Sequence, residues 1–80
     1  MPADVFERVE QLDVEVDYLL VERKYEQALK VVEEIRSTIS AAISKEVSPT
    51  RKARLQDLSD EYRNRYTKMK KDIKEKRRIE

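Results

Sequence analysis

The sequence predicts an all-α fold, an antiparallel three-helix bundle, on three observations. Apolar residues recur at spacings of three and four along most of the chain. A second helical pattern opens at Tyr25 directly after the first, with no Gly or Pro to loosen the turn. Ser48-Pro49 then marks a sharp helix start, because Ser suits the N-cap and Pro the first helical position.

In the first segment Val5, Val9, Leu12, Val16, Leu19 and Leu20 trace one helical face. Asp4 is placed as the N-cap, and Glu7 three residues on completes a capping-box-like pair. The helix is expected over about 4–22. The second face comprises Tyr25, Ala28, Leu29, Val32, Ile35, Ile39, Ala42 and Ile43, giving a helix over about 25–45. Nothing at Arg23-Lys24 forbids helix. A single rod over both segments would be about 60 Å long, with its apolar face uncovered, so two helices are expected. The third helix, over about 49–76, carries Leu55, Leu58, Tyr62, Tyr66, Met69 and Ile73. It outlasts its neighbours, so its last turns should project. The basic tail, Lys74 to Glu80, loses the pattern and is expected to fray.

Composition narrows the function. Eighty residues make one domain with a thin core. Cys, His and Gly are all absent. Disulfides, thiolate metal sites, histidine bases and glycine-rich phosphate loops are therefore excluded. Mean hydropathy is low, at −0.86, but the periodicity argues against disorder. Residues 1–45 hold ten Asp/Glu against six Lys/Arg, and residues 46–80 hold seven against twelve. The front is acidic and the last helix basic. There is no apolar run of about 20 residues and no signal-peptide layout. A soluble intracellular domain of a longer protein is expected.

No catalytic, cofactor or metal site is expected. Asp57, Asp60 and Glu61 lie within one turn. They read as a solvated face forming pairs such as Glu61–Arg65 rather than a cation site. Ser37, Ser40 and Ser44 have no base to activate them. With Ala41 they make a low-relief strip, which either forms a groove for a partner helix or lets helices approach closely. Lys68, Lys70, Lys71, Lys74, Lys76, Arg77 and Arg78 form a basic cluster. It reads as a helix end complementing the macrodipole, or as an auxiliary contact with an anionic membrane. Aromatic residues are not interleaved with it, so no nucleic acid is expected. Tyr25 and Tyr62 fall on core faces, Tyr66 is half exposed, and Tyr18 lies beside the seam as a surface anchor.

Two runs resemble an MIT domain, the microtubule-interacting and trafficking module. Lys24-Tyr25-Glu26-Gln27-Ala28-Leu29 resembles the start of that family's second helix. Glu61-Tyr62, Arg65 and Lys68-Met69-Lys70 resemble its third. The resemblance implies an adaptor that binds short motifs such as ESCRT-III C-terminal tails and recruits an attached protein, in the cytoplasm at endosomal membranes. It implies a monomer with a ligand groove at Arg63, Asn64, Tyr66, Thr67 and Lys70 on the third helix. Ser37, Ser40, Ala41 and Ser44 complete the groove on the second helix. A second ligand mode would use Leu12, Asp13 and Val16 of the first.

The chain departs from the family at several positions. Arg63 replaces a groove Leu, Tyr66 and Thr67 replace an Ala and an acidic residue, and the loop glycine is missing. With Lys70, Arg63 points to an acidic ligand; loss of the usual ligands altogether is the other reading. Asp17 to Leu29 is also similar to a run in the helical domain of an exocyst tethering subunit, which implies a structural piece of a tethering complex. The BAG domain, a chaperone-binding three-helix module, matches in size only.

Overall fold

The structure, a computed structural model, describes the backbone of residues 4–79 and the side chains of residues 4–75. It is all-α. Helix α1 spans Val5–Val21, α2 spans Tyr25–Lys45 and α3 spans Pro49–Ile79. The two short connections turn the chain back on itself, giving an antiparallel three-helix bundle. α3 runs to Ile79, past the expected end near 76. Lys, Arg and Glu are good helix formers and sustain it without an apolar face. The side chains of Lys76, Arg77 and Arg78 lie outside the described residues.

The break between α1 and α2 comes from a backbone lock. Arg23 takes a left-handed conformation with φ 62°. Its N–H donates to the Leu20 carbonyl at 3.1 Å, and the Lys24 N–H donates to the Leu19 carbonyl at 2.8 Å. These are the two bonds of a Schellman motif, usually built around Gly. Here an arginine holds the position, at a cost of about 1 kcal/mol.

The second connection is held by Glu46. Its Oε1 accepts from the Val47 N–H at 3.2 Å and the Ser48 N–H at 3.1 Å, while Oε2 lies 3.1 Å from Arg51 Nε. Ser48 caps α3 as expected, its hydroxyl accepting from the Arg51 N–H at 3.5 Å. Asp4 sits at the N-cap of α1 but makes no side-chain cap bond, so the expected capping box with Glu7 does not form. Its carboxylate is drawn to Arg51 instead.

The core is built from the expected faces. Val9, Leu12 and Val16 of α1 meet Ala28, Val32, Ile35 and Ile39 of α2 and Leu55 and Tyr62 of α3. Leu19, Leu20, Ile43, Leu58, Tyr66 and Met69 are half-buried against them. Phe6 and Val31 join this layer without having been expected there. Tyr25 is half-buried rather than buried.

α2 is the central helix, and its backbone closely approaches both neighbours. α1 and α3 meet through long side chains. Arg65 pairs with Asp13, reaches Asp17 at 3.4 Å, and lies 5.8 Å from the Tyr62 ring centre. The expected Glu61–Arg65 pair gives way to this crossing, because Arg65 turns toward α1. Nearer the start of α3, Arg51 and Arg54 lie over the Phe6 ring at 5.5 and 5.8 Å. The Cα trace extends 48 × 24 × 13 Å. Its long dimension matches the length of α3, about 46 Å for its run of residues.

Candidate functional site

A broad, shallow hollow lies along the second half of α3. Tyr66, Thr67, Lys70, Lys71 and Lys74 fall within two turns and line a concavity of about 480 Å³. A second concavity of about 290 Å³ adjoins it, lined by Glu26 and Leu29 of α2 and by Lys70, Ile73 and Lys74. Lys70 and Lys74 border both. The result is an apolar notch floored by Leu29 and Ile73 beside a shelf of three lysines. A smaller hollow of about 170 Å³ lies among Leu20, Tyr25, Met69, Asp72 and Ile73, where the α1–α2 turn faces α3.

Tyr66 fixes the wall between α2 and α3. Its hydroxyl donates to Glu33 Oε1 at 2.8 Å. Arg36 lies 5.4 Å and Lys70 5.9 Å from its ring centre, both within cation–π range. The hydrogen bond to Glu33 raises the Tyr66 phenol above its ordinary value. The lysine ammonium groups are accessible, and a ligand carrying two or more negative charges would neutralise them.

The expected groove residues separate into two groups. Tyr66, Thr67 and Lys70 are brought together in the larger concavity. Arg63 is exposed one turn away and pairs with Asp60 at 3.2 Å. Asn64 is exposed. The Thr67 hydroxyl turns back onto the Arg63 carbonyl at 3.1 Å. Ser37, Ser40, Ala41 and Ser44 are all exposed on α2, and the Ser44 hydroxyl donates to the Ser40 carbonyl at 3.3 Å. Ser37, Ser40 and Ser44 follow Glu33 at i+4, i+7 and i+11, so they continue its stripe. In the antiparallel pair that stripe runs toward the start of α3, away from Lys70. In α1, Leu12 and Val16 are buried in the core, and Asp13 is held by Arg65.

Leu29 and Ile73 read in the sequence as core, and Lys71 and Lys74 as a solvated helix end. The signal for the shelf was the spacing of Lys70 and Lys74 after Tyr66, which puts aromatic and cations on one side of α3. Among the described residues, no three acidic side chains gather as cation ligands, and no helix is long and apolar enough to cross a membrane. No protein-family model, curated protein or solved structure matches the chain.

Proposed function

We propose that the chain is a non-enzymatic protein-interaction module that binds a short acidic segment of a partner along α2 and the second half of α3. The observation that carries this reading is the apolar notch of Leu29 and Ile73 set beside Lys70, Lys71 and Lys74. One apolar side chain of the ligand fills the notch, and its carboxylates lie over the lysines. The likeness of Lys24–Leu29 and of the third helix to MIT domains supports the same class of function. On that reading the ligand is an ESCRT-III-like tail, and the module brings an attached protein to endosomal membranes from the cytoplasm.

Affinity is expected in the micromolar range, about −8 kcal/mol or weaker, as for a small groove. An amide-resolved NMR titration with acidic ESCRT-III tail peptides tests this. Shifts should cluster at Leu29, Lys70, Ile73 and Lys74, and Lys70→Glu should weaken binding by about tenfold or more. Binding unaffected by Lys70→Glu, or an absence of shifts at millimolar peptide, overturns the reading. Sedimentation of the free chain should give a monomer. Self-association in place of peptide binding would favour a structural segment of a tethering complex.

A further inference from the structure

A second surface, on a different helix, has the opposite character. Val14, Tyr18 and Val21 follow one another on α1 at spacings of four and three. They are exposed by 53, 67 and 82 %. That spacing places them in one stripe about 10 Å long, on the side of α1 turned away from both other helices. The buried face of α1 carries Val9, Leu12 and Val16. Arg8 reaches toward α2, 3.5 Å from Glu34, and Asp13 toward α3. Neither flank includes the stripe.

The rim of the stripe is acidic. Glu7 and Glu10 precede Val14 by two turns and one turn and make no ion pair among the described residues. Asp17 adjoins Tyr18 and is engaged only at 3.4 Å by Arg65. Arg8, the one basic residue of α1, is occupied on the α2 side. The stripe thus offers apolar side chains bordered by carboxylates along α1, with Arg23 and Lys24 in the turn beyond Val21.

Charge and shape select the occupant. A second copy docking through the same face would oppose carboxylate to carboxylate. A second copy docking through its basic α3 would offer only the notch of Leu29 and Ile73, which takes one side chain and leaves the rest of the stripe, about 10 Å long, facing lysines. An anionic membrane surface is repelled by the rim. We propose that this face docks a basic amphipathic segment of a partner protein. Apolar side chains of that segment lie on Val14, Tyr18 and Val21, and its Lys/Arg lie over Glu7, Glu10 and Asp17. Tyr18 is the anchor, since a tyrosine offers a large rigid contact with a polar tip.

The test uses the isotope-labelled chain and a peptide of about four helical turns with Leu at i, i+4 and i+7 and Lys/Arg on both flanks. A scrambled peptide of the same composition serves as control. Amide shifts should map to residues around Val14, Tyr18 and Val21. Binding should weaken about tenfold or more in Tyr18→Ala, which removes an exposed side chain and leaves the fold intact. It should also weaken in Glu10→Lys. Equal shifts with the scrambled peptide, shifts centred on α3, or affinity unchanged by Tyr18→Ala overturn the proposal. Concentration-dependent self-association of the free chain that Tyr18→Ala abolishes also overturns it, assigning the stripe to a second copy. Because the acidic-peptide titration reads α3 and this one reads α1, failure of one leaves the other standing.

Discussion

Arg23 carries a conformation that suits another residue type. Its left-handed backbone closes α1, yet its Cβ makes that conformation unfavourable. Arg23→Gly should stabilise the bundle by about 0.5–1 kcal/mol, read from the shift in urea midpoint at constant slope. A destabilised variant would mean that the arginine side chain contributes more than the backbone relief. Tyr62 makes a different prediction. Burial, and then the neighbouring Asp13 carboxylate, push its phenol up from 10.0 to about 12. The folded state therefore keeps a proton that the unfolded chain loses first. Stability from this group is fully present below pH 10 and is lost as pH rises toward 12. Thermal melts through that window should fall, and Tyr62→Phe should reduce the fall. An unchanged slope in the phenylalanine variant would assign the alkaline loss to other groups.

At the scale of elements, the three helices and their buried faces were legible because the spacing of Val9, Leu12 and Val16, or of Val32, Ile35 and Ile39, follows directly from the helical period. What crosses between helices was not. A carboxylate such as Asp13 fits solvent or a partner helix equally well in one dimension, and only docking of α3 brings Arg65 to it. For the same reason Arg51 takes Asp4 away from its cap, and Glu46, unmarked in the sequence, becomes the organiser of the second turn. The site divides likewise. Tyr66, Thr67 and Lys70 were named through the family resemblance, whereas the notch depends on Leu29 and Ile73 being packed yet still lining a hollow. A double-mutant cycle on Asp13 and Arg65 should give a coupling of about 1 kcal/mol, since both side chains are about one-third exposed. Additive effects would show that the pair does not hold the helices together. Leu55→Ala, which empties a fully buried position, should cost about 2–5 kcal/mol in chemical denaturation. A loss under 1 kcal/mol would show that this position collapses freely.

The whole molecule is polarised. α1 presents carboxylates with an apolar stripe, and the second half of α3 presents ammonium groups beside a notch. Docking at either surface should weaken as salt rises, because both use exposed charges. The arrangement of the helices has a separate outcome. α2 contributes four of the fully buried side chains and lies between the other two helices, whose backbones keep their distance. The junction of α1 with α3, closed by side chains such as Tyr62, Leu55 and the arginines without close backbone approach, should be the line along which the bundle opens. Amide hydrogens in the middle of α2 should exchange only through global unfolding, while those of α1 and α3 escape earlier through partial openings. Equal protection across all three helices would mean that the bundle opens as one unit. Unequal protection would make α2 a spine from which either outer helix lifts with its own ligand face, leaving the other pair intact.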